Sequence, residues 1–413
     1  MMIKKIVGDK YFCGLDIGAY SIKAALIEAR DSERPSLVGV FEAKTSGYKD
    51  ASVADLEELT ECIQHTMRGL TKKTRVKLKE IVLGISGELV QTRSSHAAIP
   101  LVDRGNKVIN HRDLRKIHSQ TKLLGVNMDE MVLHHFPQYY KVDDVNIALN
   151  PLGLFGRKLE MYSLLIITRN TLVKNLMTAV NQAGFDVARL FFSSYASSYA
   201  SLKGEHKQLG SILIDLGSSF SNILMFKDGR LLTLIPIPLG GYHVSKNIAQ
   251  ELNLTFDLAE EIKKSYGCIP STDQQGEEDI LIKRRDGYLP IKKKSISDAI
   301  DPVTTRLIDE LLEAVKGSEL FDQMSRGIVL VGGGALLPGL PERLEQETNL
   351  PVQVGQIHVA MRKLTFAPKF ATAVGLAQSA ILPADGELFA GQHQPKGIGR
   401  LLFRMKELYQ EYF

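Results

Sequence analysis

Residues 10–27 read KYFCGLDIGAYSIKAALI, and residues 210–226 read GSILIDLGSSFSNILMF. Each is an apolar, β-branched run that ends in Asp, an apolar residue and Gly, followed by a small turn and a second apolar run. In the first copy, Phe12 to Ile17 and Ile22 to Ile27 are expected as strands, joined by Gly18, Ala19, Tyr20 and Ser21. Gly18 lets the backbone come close to a ligand, while turn N–H groups and the Ser21 hydroxyl suit phosphate oxygens. Asp16, at the strand end, suits a hydrated Mg²⁺ that bridges phosphates. The second copy supplies Asp215, Gly217, Ser218, Ser219, Ser221 and Asn222. One such turn is an ordinary hairpin. Two, about half a chain apart, point to duplication of a domain that clamps a nucleotide from both sides.

A third element, GIVLVGGGALLPGL from Gly327, runs a buried-type strand (Ile328 to Val331) into Gly332, Gly333 and Gly334. Bare backbone at a strand exit suits a flat adenosine, and a tight strand-to-helix connection is the plainer alternative. The chain has neither a G-x-G-x-x-G turn nor a Gly-Lys-Ser/Thr phosphate loop here, which excludes the two commonest nucleotide folds.

Composition bounds the rest. The 413 residues suffice for two domains, and 44% hydrophobic with 24% charged residues is ordinary for a globular chain. A net charge of +4 is too small to argue for nucleic acid. Cys13, Cys62 and Cys268 are scattered and odd in number, which fits a reducing compartment and offers no zinc pattern. His134 and His135 are adjacent on an expected strand, so they point to opposite faces and do not read as a metal pair. The start, MMIKKIVGDKYF, has no apolar leader, and no run approaches a membrane span, so the chain is expected to be neither exported nor integral.

The order of elements is α/β. Ser52 with Asp55 reads as a helix start, and Leu56, Leu59, Ile63, Met67 and Leu70 keep one apolar face. Ile81 to Ile85 reads as a buried strand. From about Glu88 the pattern changes to a strand, a capped helix (Asn110 through Leu124) and strands around Met131 to Val142, a small α+β insertion. Met161 to Thr168, a helix from Asn170 to Ala183 and a strand from Phe185 to Phe192 return to the main domain.

These elements, in this order, resemble the actin-like ATPase superfamily and, within it, the FtsA family of bacterial cell-division proteins. The likeness is carried also by IVLGISGELVQ at Ile81, by VLHHFPQYYKVDD through NPLGLFGRKLE (Val132 to Glu160), by FFSSYASSYASL at Phe191 and by GGYHVSKNIAQELNLTFDLAEEIKKSYG at Gly240. NPLGLFG is similar to the family's own Asn-Pro-x-Gly-Leu-x-Gly signature, and the resemblance spans about Phe12 to Phe413. It implies an α/β actin-like fold: two duplicated domains around a nucleotide cleft, with a small α+β subdomain inserted in the first. The divisions expected are 1–86 and 166–210 for the first domain, 87–165 for the insertion and 211–382 for the second domain. It implies ATP with Mg²⁺ as cofactors, held by Asp16, Gly18, Ala19, Tyr20, Ser21, Lys23, Asp215, Gly217, Ser218, Ser219, Ser221, Gly332, Gly333 and Gly334. Asp16 and Asp215 would hold the Mg²⁺ through water. Phe256 to Gly267 reads by itself as a solvated amphipathic helix, but in the family pattern Glu260 and Lys263 match ribose and adenine contacts.

Lys283, Arg284 and Arg285, in a basic stretch that also holds Lys292, Lys293 and Lys294, read by themselves as a solvated hairpin end. By resemblance they lie where the C-terminal peptide of tubulin-like FtsZ docks. Residues 383–399 are Pro/Gly/Gln-rich and read as a flexible linker. In the 400–413 segment that follows, Leu401, Leu402, Met405, Leu408, Tyr409, Tyr412 and Phe413 share one helical face, edged by Arg400, Arg404 and Lys406. This helix suits either the protein's own core or an anionic membrane surface, and FtsA ends in a membrane-targeting helix. The resemblance further implies self-assembly into an actin-like filament and contact with later division proteins through the insertion. It places the protein, as a peripheral protein, on the cytoplasmic face of the inner membrane at the division site. The second hairpin departs from the family's Asp-Ile-Gly-Gly-Gly-Thr-Thr-Asp, with Ser218, Ser219 and Asn222, so ATP binding with slow or negligible hydrolysis is expected. A PilM-like pilus-assembly scaffold and a small-molecule kinase of the same fold are the rival readings.

Overall fold

Strong β-formers on alternating, mostly buried positions make both quoted stretches into hairpins. Lys10–Ile17 pairs antiparallel with Ser21–Ala29, and Ser211–Leu216 pairs antiparallel with Ser221–Lys227. The computed structural model describes residues 10–29, 35–49, 51–101, 105–269, 279–284, 287–359 and 367–381. Each hairpin continues into a third antiparallel strand, Ser36–Lys44 in one sheet and Arg230–Ile237 in the other. On its other side each hairpin gains two parallel strands: Glu80–Ile85 and Asp186–Phe192 in the first sheet, Ile328–Val331 and Val352–Val354 in the second. The result is two five-stranded sheets of one topology. Parallel strands need long crossovers, and the helices Leu56–Thr74 and Lys293–Lys316 supply the first crossover of each sheet. The duplication therefore extends well beyond the two turns.

The helix Leu56–Thr74 buries Leu59, Ile63, Met67 and Leu70. Its N-cap is Asp55, whose carboxylate accepts the Glu58 N–H at 2.9 Å. Ser52, expected as the helix start, instead lies in the short strand Ser52–Val53 and donates to the Lys49 carbonyl. Asn110 caps the helix His111–Leu124 with a full capping box through Asp113.

Between Ile85 and Asn170 lies the inserted subdomain. Its sheet runs Asn146–Ala148, Glu130–Val142, Lys158–Arg169, Val90–Pro100, and the helix His111–Leu124 packs on one face. His134 and His135 do point to opposite faces. His134 accepts the Phe192 N–H at 3.0 Å on the main-domain side, while His135 meets Ser163 at 3.0 Å and the edge of His118 on the helix side. Among the described residues no cluster of three or more His, Cys, Asp or Glu side chains is gathered as a metal-ligand set, and no helix is long and apolar enough to cross a membrane.

The chain passes from the first sheet to the second through the helix Ser193–Ser201, which is buried along almost its whole length. The helix Ala371–Ser379 packs against it and against the first domain's hairpin, although the sequence groups all of 211–382 with the second domain.

Burial pushes His135 down to about 3 and His118 down to about 4, so both stay neutral in the fold while an unfolded chain protonates them below 6.5. A histidine depressed in this way contributes stability above its unfolded pKa, and that stability is lost as pH falls from 6.5 toward 4. At pH 5 the expected loss is up to about 2 kcal/mol per histidine. Urea titrations at pH 7 and pH 5 should show it, and His135→Gln should reduce the difference between the two.

Candidate functional site

The two hairpins agree residue for residue. Asp16 lies opposite Lys23 and Asp215 opposite Asn222, with Ile17 opposite Ile22 and Leu216 opposite Ser221. Gly18 donates to the Ser21 carbonyl at 3.2 Å, and Gly217 donates to the Phe220 carbonyl at 3.0 Å. Each turn is braced from outside through its carbonyls. Thr45 donates to Gly18 and Tyr20, while Gly241 and Tyr242, opening the helix Gly241–Glu251, donate to Gly217 and Ser218. Ala19 and Ser219 complete the two turns.

The two aspartates, one on each sheet, lie close enough to feel each other's charge. The Ser193 hydroxyl donates to Asp16 Oδ1 at 3.2 Å, and Ser194 hydrogen-bonds Asp215 and accepts from Asn222 Nδ2 at 3.0 Å. Two consecutive residues at the start of the joining helix therefore hold one acidic strand end from each domain. Gly84 makes the first contact possible, since a Cβ there would lie 2.6 Å from the Ser193 hydroxyl. Burial raises the Asp16 carboxyl, against Lys23 and the Ser193 bond. Burial also pushes Asp215 up to about 6, with the nearby Asp16 adding to it and Ser194 and Lys23 opposing it. A half-buried Asp16 and a buried Asp215, close enough to feel each other's charge, form an oxygen donor set deficient in positive charge. That donor set fits a hydrated Mg²⁺.

Ser21 and Ser221, both expected at phosphate, are placed elsewhere; in the shared register Ser21 corresponds to Phe220, and Ser221 to Ile22. Ser21 opens the second strand and donates to Glu42 at 2.8 Å, where Glu42 also pairs with Lys369. Ser221 is fully buried and donates to the Leu239 carbonyl at 2.7 Å. Both hydroxyls are engaged behind the turns.

The three glycines follow the strand Ile328–Val331, which lies beside Ser211–Leu216 with Val331 next to Asp215. Gly332 adopts φ +86°, and a Cβ there would meet the Leu216 carbonyl at 2.4 Å and Asp215 Oδ1 at 2.8 Å. Gly334 packs on Leu216, while Gly333 faces open space. Opposite them, Glu260 is 6% exposed on the helix Phe256–Tyr266. It accepts from Ser245 and pairs with Lys263 at 2.7 Å, and Lys263 donates to the Gly241 carbonyl at 2.8 Å. Burial works against the Glu260 charge, but Lys263 and the hydrogen bonds hold its carboxyl below the usual range. The glycine element thus lies against the second hairpin at Asp215 and Leu216, and the acid–lysine pair is tied to the same hairpin through Gly241 and Gly217. Ser193, Ser194 and Lys264 bond to members of this site and were not singled out from the sequence.

Arg285, the linker 383–399 and the segment 400–413 lie outside the described residues. These hold Arg400, Leu401, Leu402, Arg404, Met405, Lys406, Leu408, Tyr409, Tyr412 and Phe413. Lys283 and Arg284 fall on the strand Asp279–Arg284, with their side chains outside the description.

Residues 212–375 match the family model described as cell division protein FtsA, and residues 87–167 match the model of the SHS2 domain inserted in FtsA. The chain is similar to the cell division protein FtsA of Borreliella burgdorferi, at 27% identity over 88% of this chain and 89% of that one. Similarity to FtsA of Escherichia coli K12 is 26%, over 90% of each chain. Among solved structures, a PilM–PilN type IV pilus biogenesis complex covers 90% of this chain and 99% of its own, with TM-score 0.67 and 19% identity. MreB5 of Spiroplasma citri bound to ADP covers 93% and 99%, with TM-score 0.54 and 13% identity. These structures show the actin-like fold.

A carboxyl whose folded pKa lies above its unfolded value destabilises the fold increasingly as the pH rises past the unfolded value, and the full cost is reached above the folded one. For Asp215 the cost appears as pH rises from 3.8 and is complete above about 6. Asp215→Asn is therefore expected to stabilise the empty protein at pH 7.5 by about 1–3 kcal/mol, and to change its stability little at pH 4. Thermal melts at the two pH values check this.

Proposed function

The chain belongs to the FtsA family of cell-division proteins, and on that premise we propose that it is an ATP-binding scaffold that ties FtsZ filaments to the membrane. The observation that carries the nucleotide part is the shared register of the two hairpins, with Asp16 and Asp215 close enough to feel each other's charge. In this reading the turn N–H groups around Ala19, Tyr20, Ser218 and Ser219 bind phosphates, since the turn carbonyls are already taken by bracing bonds. Lys23 adds a cation at the phosphate end. Asp16 and Asp215 hold Mg²⁺ through water, and when bound it neutralises phosphate charge. Gly333 offers open backbone to the adenine, and Glu260 with Lys263 meets the ribose and base.

Phosphoryl transfer to water needs a group that positions the water. The second turn has Asn222 where the family pattern has an acid, so turnover is slow or negligible. The nucleotide acts instead on the angle between the domains, because each side of the cleft contributes one carboxylate. Attachment is assigned to the amphipathic face of 400–413, reached through the linker 383–399, and the FtsZ peptide to the basic stretch at Lys283, Arg284 and Arg285. The inserted subdomain makes contacts with neighbouring copies and later division proteins. In support, Val145 and Ile147 at the edge strand Asn146–Ala148, and Phe155 on the short strand Phe155–Gly156, expose large apolar side chains. Many weak helices in one filament bind a bilayer jointly, raising avidity by roughly 10²- to 10⁴-fold for a matched pair of sites.

Co-sedimentation with vesicles containing anionic lipid, with and without FtsZ and Mg·ATP, tests the scheme. FtsZ should pellet with vesicles only when this protein is present. Leu408→Glu should leave both proteins in the supernatant, and persistent membrane binding by that variant would contradict the anchor assignment. Replacing Arg284 and Arg285 by Glu should release FtsZ alone.

A further inference from the structure

Tyr20, at the tip of the first hairpin, meets the second domain across the mouth of the cleft. Lys264 donates to the Tyr20 hydroxyl at 2.8 Å, and its Nζ lies 4.2 Å from the centre of the Tyr20 ring. The same ammonium is 3.1 Å from Glu260 Oε1. One cation therefore joins the hairpin of the first domain to the buried acid on the helix Phe256–Tyr266. A second bridge runs alongside: Lys44, ending the first domain's third strand, pairs with Asp257 at 2.7 Å. Asp257, Glu260 and Lys264 fall on one face of that helix.

Partial burial works against the Lys264 charge, but Tyr20 and Glu260 hold its pKa above the ordinary value. The bridges are otherwise open to solvent, with side-chain exposures of 66% and 75% for Lys44 and Asp257 and 53% for Lys264. Ion pairs so exposed stabilise little. They suit a contact that opens and recloses.

We propose that Lys264 is a positioning residue that straps the tip of the first hairpin to the helix Phe256–Tyr266, closing the mouth of the cleft over a bound nucleoside phosphate and slowing its release. This rests on the nucleotide reading above. Lys264 acts through Tyr20 and Glu260, and in the family-like pattern Ala-Glu-x-Ile-Lys-x-x-x-Gly that runs from Ala259 to Gly267 it falls on the first unspecified position after Lys263. Its neighbour Lys263 is turned inward to Glu260 and Gly241.

Three variants of the full chain test it: Lys264→Met removes the cation and keeps the stem, Tyr20→Phe removes the hydroxyl and keeps the ring, and Lys264→Arg keeps charge and donors. The first readout is release of methylanthraniloyl-ATP chased by unlabelled ATP in Mg²⁺. The second, taken without nucleotide, is energy transfer between dyes on the two sides of the cleft mouth. Release should quicken about 5- to 20-fold in Lys264→Met and about 2- to 5-fold in Tyr20→Phe, and stay within about 2-fold in Lys264→Arg. The mean dye separation should lengthen in Lys264→Met. Wild-type release from Lys264→Met overturns the proposal, whatever the separation. Faster release at unchanged separation also overturns it, because the lysine then touches the nucleotide directly. If the wild-type protein binds no labelled ATP, the nucleotide reading has failed and the strap's role falls with it, an outcome told apart from the others by the wild type alone.

Discussion

Asp16, half-buried, and Asp215, buried, are carboxyls from two different sheets, each hydrogen-bonded to one of two consecutive serines at the start of the helix Ser193–Ser201. Burying one carboxylate is costly, and two close together are costlier. The fold sustains the arrangement because everything around it is fixed. The strands bearing the aspartates are central in their sheets. The joining helix is packed by the helix Ala371–Ser379, and glycines at 84 and 332 leave the space the polar groups occupy. A shift of either sheet moves one aspartate against its serine. The relative position of the domains and the electrostatics of the cleft are therefore one property.

Much of this was legible in the sequence. A strand of period two that ends in Asp-x-Gly fixes both the turn and the side of the sheet on which the Asp emerges, so the two hairpins could be matched before any coordinates. The topology of each sheet follows from the order of strands and crossover helices. What was not legible depends on partners distant in sequence. Ser21 was placed in the turn, but the strand begins one residue earlier than Ile22, so its hydroxyl turns back to Glu42. Ser193 and Ser194 lie in FFSSYASSYASL, where five serines look alike and only the contact with the two aspartates separates the first two. Ser52 lost the cap to Asp55 because the short strand Ser52–Val53 pairs with Tyr48–Lys49. The helix Ala371–Ser379 is apolar all round, a pattern that marks burial and not against which sheet.

The fold alone does not separate the rival readings. The pilus-assembly complex covers most of the chain at TM-score 0.67, but at 19% identity that likeness reports architecture. The separation comes from sequence: one family model covers the second domain and another the insertion, and both are specific to FtsA. The insertion is a four-stranded sheet with one helix. It is tied to the rest through both neighbours. His134 accepts the Phe192 backbone just before the joining helix, and Gln138 donates to the Leu231 carbonyl on the edge strand of the second sheet. The insertion is thus one hydrogen bond from the strand that leads into the joining helix and one from the second sheet.

That placement bears on why the second turn can depart from the acid-bearing pattern. An enzyme under selection for turnover needs a group that aims water at the terminal phosphate, and in this chain Asn222 is instead bound to Ser194 at the base of the joining helix. Asn222 is thereby fixed between the second hairpin and the joining helix, so its amide is engaged in holding the two together. The two hairpins keep one register but set different groups opposite their aspartates, a cation at Lys23 in the first and an amide at Asn222 in the second, and only the amide is bonded to the joining helix.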